Sequence, residues 1–377
     1  MPFGYVGDNH PDRGVIDHRG CLPGGCDPDR LPPVDLLEGV RSSFVETDRL
    51  RMRVLEAGPD DGEPVVFVHG NLSTSRFFEH LLPELPPRYR VIAPDMRGFG
   101  DSEPVPLDAT RGLADWADDT AALLRAMEVA APPHLVGWST GGAAIAAFAM
   151  SRPVASLTLI DPVGPYGYGA TARDGTPHFP DFAGSGGGTT NPEFVVRLRA
   201  GDRSEDGDVA PRNVMNSSYW RAGHRETPER EEMLLGEILK SVVGDDGYPG
   251  DMTTSPNWPG VAPGTRGILN ALSPKYCNWA GILDIDPKPP ILWTHGAQDI
   301  VVADGSPWEM GTLGSLGAVP GWPESFAPQP MVTQIRELLA RYDGRVEIEI
   351  FEQSGHFPPL DARERWNTVF FEFLESV

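Results

Sequence analysis

A serine between two glycines is the part of this sequence best suited to do chemistry. Gly137-Trp138-Ser139-Thr140-Gly141 follows a short apolar run and precedes an alanine-rich run. The first run predicts a buried strand and the second a helix, so Ser139 would occupy a sharp turn between them. Flanking glycines permit that turn, which holds the hydroxyl clear of the backbone. Glycine and serine are common in loops, but the position between strand and helix favours a serine nucleophile.

Buried strands alternate with helices along most of the remaining chain. A hairpin over residues 43–55 begins the pattern, because apolar and polar residues alternate there. The alternation predicts an α/β fold, a mostly parallel sheet with helices on both faces and its site at the carboxyl ends of the strands. We expect further strands at 64–68, 89–94, 134–138, 155–160, 289–294 and 346–351, and helices at 75–85, 113–127, 228–243, 332–342 and 361–374.

Two stretches interrupt this alternation. Residues 164–287 are rich in glycine, proline, tryptophan and tyrosine and contain one amphipathic helix, and a shorter irregular stretch covers 303–330. The first forty or so residues carry turn and coil signals without periodicity. These patterns divide the chain into an N-terminal extension (1–41), a core (42–164 and 288–377) and a domain inserted after the sixth strand (165–287).

The order of the strand-ending motifs resembles that of the α/β-hydrolase superfamily. Five motifs stand where that family has them: His69-Gly70, Asp95-x-Arg97-Gly98-x-Gly100-x-Ser102, Gly137-x-Ser139-x-Gly141, Gly296-x-x-Asp299 and Gly355-His356. The resemblance covers residues 43–165 and 287–376. It implies the α/β-hydrolase fold, with the inserted domain as a cap over the active site. Such motifs are more specific for the fold than for the reaction.

The resemblance also implies a catalytic triad in the chain order serine, aspartate, histidine. Ser139 is then the nucleophile, His356 the general base and Asp299 the carboxylate that orients the imidazole. Asp161, which ends the sixth strand, is the alternative acid, because some relatives carry theirs there, and Asp304 is a third candidate. We prefer Asp299, since a strand-ending turn accounts equally well for Asp161.

The oxyanion hole is assigned by the same resemblance. Its donors would be the backbone N–H of Thr140, directly after the nucleophile, and that of Asn71 or Leu72 in the turn after the third strand. Backbone donors have no sequence pattern of their own. His69 in this turn is expected to be structural.

A serine at this position excludes the branches of the family that use an aspartate nucleophile, such as haloalkane dehalogenases and epoxide hydrolases. The expected reaction is hydrolysis of a carboxylic ester or lactone through an acyl-serine, without a cofactor. One alternative is a carbon–carbon bond hydrolase of a diketone-type substrate, which uses the same triad but usually has a more glycine-rich turn after His69-Gly70. Another is a non-catalytic ligand-binding protein, which the presence of all three triad residues disfavours.

Aromatic residues of the inserted domain either line a substrate pocket or form that domain's own core. We expect the pocket walls to include Gly70, Trp138, Tyr166, Tyr168 and Trp220. The glycines at the start of the cap could act as its hinge. The predicted substrate is a medium-sized, largely apolar molecule.

Composition limits the partners of the chain. Its 377 residues carry a formal net charge of −23, which would repel nucleic acid and anionic membranes. We expect a cytoplasmic protein, because neither an apolar run of membrane-spanning length nor a signal peptide is visible. We expect no metal site: Cys21, Cys26, His10 and His18 match no common zinc spacing, and three cysteines are too few for a disulfide framework. The expected partner is a small-molecule substrate, and the sequence leaves the oligomeric state open.

Overall fold

The computed structural model describes residues 36–377. Most of the predicted N-terminal extension, with His10, His18, Cys21 and Cys26, lies outside the described residues. Residues 37–377 form one compact unit. None of the helices described between residues 36 and 377 has the length and apolar character needed to cross a lipid bilayer.

An eight-stranded sheet organises the described part of the chain. Its strands lie in the order β1-β2-β4-β3-β5-β6-β7-β8, and all neighbours are parallel except at β2, which is antiparallel to both β1 and β4. The predicted α/β fold with a mostly parallel sheet is therefore confirmed. The strands are β1 (Arg41–Glu46), β2 (Arg51–Ala57), β3 (Glu63–Val68), β4 (Tyr89–Pro94), β5 (His134–Trp138), β6 (Ser156–Ile160), β7 (Ile291–Gly296) and β8 (Val346–Phe351).

The central strands are buried along nearly their whole length. A strand covered on both faces gains from apolar side chains at every position, which explains the continuous apolar runs of the sequence. Phe67 of β3, for example, packs against Phe78 and Phe370. Because β5 to β8 are parallel and adjacent, the segments that follow them meet at one edge of the sheet.

Helices cover the sheet and fill the insertions. Helix α1 packs against α2, and α10 donates the Trp366 indole N–H to Thr294 of β7 over 3.1 Å. The helices are α1 (Ala114–Ala126), α2 (Thr140–Ala149), α3 (Pro192–Arg199), α4 (Pro211–Ser218), α5 (Pro228–Ile238), α6 (Ile268–Ala271), α7 (Met310–Ser315), α8 (Met331–Leu339), α9 (Pro358–Asp361) and α10 (Arg363–Glu375).

One predicted helix is wrong and another is too long. Residues 75–85 form two separate 3₁₀ turns, Ser75–Phe77 and Leu82–Glu84, because Pro83 lacks the N–H that an α-helix needs there. The helix expected over 228–243 ends at Ile238. Its continuation turns toward the core, where the Val242 N–H donates to the Gly98 carbonyl over 2.9 Å.

The two irregular segments pack together. The segment between β6 and β7 holds α3 to α6, the 3₁₀ turns Gly187–Thr189 and Ala280–Asp284, and short strands at Val243–Gly244, Tyr248–Pro249, Met252–Thr254 and Val261–Pro263. Phe326 of the later segment is fully buried against Trp258 of the earlier one, with ring centroids 4.9 Å apart. The sequence pattern gave no indication that these segments share an apolar cluster.

Candidate active site

Ser139 lies in a strained turn between β5 and α2. Its backbone angles are φ 54° and ψ −114°, and a non-glycine residue with positive φ is uncommon enough to indicate a functional constraint. A Cβ at Gly137 would lie 2.4 Å from the Gly141 carbonyl oxygen, and one at Gly141 would lie 2.1 Å from that of Val68. Both glycines of the motif are therefore required by backbone contacts, as the tight turn predicted.

The turn after β3 lies directly beside Ser139. A Cβ at Gly70 would be 3.2 Å from the Ser139 Cβ and 3.3 Å from the Trp138 ring. Leu72 is buried with φ 48°, and Asn71 is half-buried. The predicted oxyanion donors Asn71 and Leu72 therefore belong to a turn that approaches Ser139, where Thr140 begins α2. N–H groups in the first turn of a helix have no partner within the helix.

Tyr219 of the inserted segment holds this turn. Its hydroxyl donates to the Leu72 carbonyl over 2.8 Å and lies 3.3 Å from the Asn71 carbonyl oxygen. Its ring packs against Trp138 and Phe77. Sequence reasoning counted Tyr219 only among the aromatics of the insertion and missed this contact.

His69 connects the same turn to the segment after β4. Its Nε2 accepts the Met96 N–H over 2.9 Å, so the proton lies on Nδ1, which donates to the Gly70 carbonyl over 2.7 Å. Burial lowers the pKa of His69 to about 4. A neutral, doubly bonded imidazole is a structural element of the turn, which agrees with the expectation for this residue.

His356 and Asp299 form a buried hydrogen-bonded pair. Nδ1 of His356 lies 2.7 Å from Oδ2 of Asp299, and Oδ1 of Asp299 accepts the N–H groups of Val301 and Val302 over 2.7 and 3.1 Å. Burial alone would raise the pKa of Asp299, but His356 and these hydrogen bonds outweigh it and lower the pKa. The carboxylate is thus fixed in orientation and held ionised.

Two close backbone contacts bring this pair together. Asp299 follows β7 and His356 follows β8, and a Cβ at Gly296 would lie only 1.8 Å from the Gly355 carbonyl oxygen. A Cβ at Gly355 would in turn meet the Trp220 carbonyl carbon at 2.3 Å. Glycine at 296 and 355 therefore lets the two loops and the insertion approach one another.

Trp138 connects the serine turn to the histidine loop. Its indole N–H donates to the His356 carbonyl over 2.7 Å, and its ring lies 4.2 Å from that of Phe357. The side chain is almost fully buried. Trp138 therefore fixes the position of His356 relative to Ser139, and its predicted contact with substrate stays a prediction.

Asp161, the alternative acid, lies in the same cluster. It is fully buried at the end of β6, and one atom from each of Asp161, Asp299 and His356 lies within 4.8 Å of the others. Within residues 36–377 this trio is the set that could hold a metal ion, although Nδ1 of His356 is already bonded to Asp299. Asp304, the third candidate, is exposed and binds Thr333 instead.

His295 is a member of the cluster that sequence reasoning missed. Its Nδ1 lies 3.3 Å from Oδ1 of Asp161 and its Nε2 lies 3.8 Å from Oδ2 of Asp299. Burial lowers the pKa of His295 to about 4, so the imidazole is neutral. Its position at the end of β7, four residues before Asp299, is the sequence feature that could have predicted its place in the cluster.

Asp361 is a second residue that sequence reasoning missed. Its carboxylate accepts the N–H groups of Gly355 and Arg221 over 2.9 and 2.7 Å, and the Ser354 hydroxyl also donates to it. It therefore joins the insertion to the loop that carries His356.

The other predicted pocket residues make supporting contacts. The Tyr168 hydroxyl donates to the Val301 carbonyl over 2.8 Å, which buttresses the turn after Asp299. Trp220 is buried, with its indole N–H directed to Asn216 over 3.2 Å. Tyr166 is half-buried. Their contacts with a substrate stay predictions.

Comparison with known proteins identifies the family. The chain matches the alpha/beta hydrolase family over residues 65–369. It is 35% identical over 108 residues to the magnesium-chelatase 30 kDa subunit of Rhodobacter capsulatus, covering 29% of this chain and 37% of that protein. It is 33% identical over 146 residues to 2-hydroxy-6-oxo-6-phenylhexa-2,4-dienoate hydrolase of Burkholderia cepacia, covering 36% and 49%. These matches span less than half the length of each relative.

Solved structures share the fold at low identity. An esterase from Rhodococcus sp. is 19% identical with a TM-score of 0.55, covering 90% of this chain and 99% of that one. A serine hydrolase from Cycloclasticus zankles is 17% identical with a TM-score of 0.58, covering 89% and 98%. The resemblance inferred from motif order is confirmed, and the chain belongs to the alpha/beta hydrolase family of enzymes.

Proposed function

We propose that the chain is a serine hydrolase that cleaves a carboxylic ester or lactone through an acyl-serine intermediate. The observation that carries this proposal is the strained backbone of Ser139 beside the 2.7 Å bond between His356 and Asp299. A serine hydroxyl becomes a useful nucleophile only when a base removes its proton during attack, and the base must be held in one tautomer. The bond to Asp299 leaves Nε2 of His356 as the base.

Ser139, His356 and the backbone N–H donors would hydrolyse an ester in two stages. Oγ of Ser139 attacks the carbonyl carbon while His356 takes its proton, and the oxyanion accepts hydrogen bonds from the N–H of Thr140 and one from Asn71 or Leu72. The carbon–oxygen bond to the leaving group then breaks, and His356 returns the proton to that oxygen. Water repeats the sequence on the acyl-serine and releases the acid.

We propose that residues 165–287 form a cap over this site. Ser139 is 6% exposed and His356 is 2% exposed, which supports a site covered by other segments of the chain. Tyr219 contacts the turn of residues 70–72, which we call the oxyanion turn, and Arg221 binds Asp361. These two contacts tie the insertion to the core beside the site. Aromatic residues of the insertion support a medium-sized, largely apolar substrate.

A second candidate function is hydrolysis of a carbon–carbon bond. The relative from Burkholderia cepacia is named a hydrolase of 2-hydroxy-6-oxo-6-phenylhexa-2,4-dienoate, and a relative from Pseudomonas putida, 40% identical over 108 residues, is named a hydrolase of 2-hydroxy-6-oxo-2,4-heptadienoate. Both substrates carry a ketone and a dienol carboxylate rather than an ester. An assay with such a compound beside the ester panel separates the two candidates.

The test is the mass of the intact protein after exposure to a fluorophosphonate, with Ser139→Ala as the matched control. One adduct on the wild type and none on the variant would support an activated serine, and a panel of esters and lactones of increasing acyl size would then define the substrate. Absence of an adduct on the folded wild type would contradict the proposal and favour the ligand-binding alternative. Cytoplasmic location stays a prediction, which cell fractionation would check.

A further inference from the structure

We propose that Asp161 carries a proton at neutral pH and donates it in a hydrogen bond to Asp299, the carboxylate that orients His356. We call Asp161 and Asp299 the acid pair. The inference rests on the proposed function, since it assigns Asp161 as a positioning residue for the triad. It differs from the alternative in which Asp161 is itself the triad acid.

One carboxyl oxygen of Asp161 has no hydrogen-bond partner among the described residues. Oδ1 of Asp161 accepts the Gly296 N–H over 2.8 Å. Its Oδ2 is buried and has no hydrogen-bond partner among residues 36–377, and Nδ1 of His295, 3.3 Å from Oδ1 of Asp161, is likewise without one. Asp299 is the carboxylate that faces Asp161. Two ionised carboxylate oxygens cannot form a hydrogen bond with each other. A protonated Oδ2 of Asp161 becomes a donor, and a hydrogen bond to Asp299 would satisfy it.

Electrostatic repulsion between Asp161 and Asp299 also favours a shared proton. Two carboxylates buried side by side cannot both ionise without a large cost, so one of them keeps a proton. The titratable groups near Asp161 are Asp299, from the turn after β7, Asp361, from α9, His295 of β7, whose Nδ1 lies 3.3 Å from Oδ1 of Asp161, and His356, from the loop after β8. His295 of β7 is neutral, because burial lowers its pKa to about 4. Burial and the negative charge of Asp299 are therefore the largest influences on Asp161.

The hydrogen bonds of the two carboxyl groups differ, and this difference decides which of them keeps the proton. Asp299 is stabilised as an anion by His356 at 2.7 Å and by two backbone N–H groups. Asp161 has one backbone N–H. Burial, and after it the negative charge of Asp299, raises the pKa of Asp161 well above its usual range. The proton therefore lies on Asp161.

The backbone holds Asp161 in this position at some cost. Its φ is 41°, a left-handed conformation that aspartate adopts more readily than most residues. Its N–H donates to the Thr294 carbonyl over 2.9 Å, which ties it to β7. An asparagine keeps the same conformation and the same bonds, with its Nδ2 donating to Asp299 and its Oδ1 accepting from Gly296. Alanine keeps neither bond.

The experiment compares Asp161→Asn, Asp161→Ala and Asp299→Asn by the rate of fluorophosphonate adduct formation between about pH 6 and 10. We expect Asp161→Asn to react within about threefold of the wild type at neutral pH, and Asp161→Ala to lose about a hundredfold, because Asp299 is no longer fixed in place. The wild-type rate should fall at alkaline pH as Asp161 ionises and repels Asp299. Asp161→Asn should lack that fall.

A second measurement does not depend on reactivity. The infrared difference spectrum of wild type minus Asp161→Asn should show the carbonyl band of a protonated carboxylic acid at neutral pH, and the band should disappear at alkaline pH. Asp60→Asn is the matched control, since Asp60 is exposed and paired with Arg41, and it should remove no such band.

The outcomes separate the two proposals. If Asp161→Asn loses as much reactivity as Asp299→Asn, or if no protonated-acid band is present, the acid pair is refuted. If the wild type forms no adduct while the band is present, the proposed hydrolase function fails and the acid pair stands. If Asp161→Ala does not fold, the asparagine variant and the infrared band still decide.

Discussion

The hydroxyl of Tyr219 ties the inserted segment to the turn proposed to stabilise the oxyanion. The variant Tyr219→Phe should lower both the free energy of unfolding and kcat. Its hydroxyl donates to the Leu72 carbonyl over 2.8 Å and lies 3.3 Å from that of Asn71. Loss of one buried hydrogen bond should lower the free energy of unfolding by about 1–2 kcal/mol. The turn would then move, so the oxyanion donor would lie off its optimal geometry.

The loss of kcat in Tyr219→Phe should be smaller than the loss caused by removing an oxyanion donor. Complete loss of an oxyanion donor costs about 10²–10³ in kcat. Tyr219→Phe keeps the donor and removes only its support, so we expect a decrease in kcat of about tenfold with little change in KM. Steady-state hydrolysis of a small ester, with urea unfolding of the same preparations, measures both quantities.

Tyr276→Phe is the matched control. The Tyr276 hydroxyl also donates to a backbone carbonyl, that of Gly264, over 3.0 Å, and both residues belong to the insertion. This variant should lose similar stability and keep its kcat. Equal kcat values in the two variants would refute the idea that Tyr219 positions the oxyanion turn.

Three further predictions concern the triad, the histidine loop and pH. Asp299→Asn should lower kcat by about 10⁴ without changing the near-ultraviolet circular dichroism; activity within tenfold of the wild type would contradict this assignment. Gly355→Ala should lower the free energy of unfolding by about 1–3 kcal/mol in urea titrations, because its Cβ would lie 2.3 Å from the Trp220 backbone. Gly281→Ala, which meets only the flexible Met150 side chain, is its control. His69, His80 and His295 have pKa values lowered by burial to about 4, 3 and 4, so the unfolded state binds more protons below about pH 6.5. Stability should therefore fall as the pH drops from about 6.5 toward 4, and equal urea midpoints at pH 7 and pH 5 would count against these neutral histidines.

Local sequence was sufficient where local sterics decide the structure. The turn at Ser139 was predictable, because the backbone contacts that exclude a Cβ at Gly137 involve residues only a few positions away. Alternating strands and helices likewise predicted the sheet. The helix expected over residues 75–85 is wrong because its apolar spacing is helical but Pro83 lacks an N–H, and the structure has two 3₁₀ turns there instead of an α-helix.

Contacts between distant segments could not be predicted in the same way. The choice between Asp299 and Asp161 depended on which carboxylate reaches His356, and both follow strands that end at the same edge of the sheet. The structure shows the 2.7 Å bond to His356 for Asp299, with an atom of Asp161 within 4.8 Å of both residues. His295 of β7 and Asp361 of α9 lie next to this cluster because the chain segments at Gly296 and Gly355 make close backbone contact.

The sequence by itself determined the fold class and the sharp turn at Ser139, because apolar periodicity and the steric contact at Gly137 act over a few residues. The tertiary structure alone decided which buried carboxyl and imidazole groups lie side by side and that Tyr219 of the insertion binds the turn after β3. Burial and proximity set the charge of a carboxyl such as Asp161. Those quantities exist only once segments far apart in the chain, such as the ends of β6, β7 and β8, have packed together.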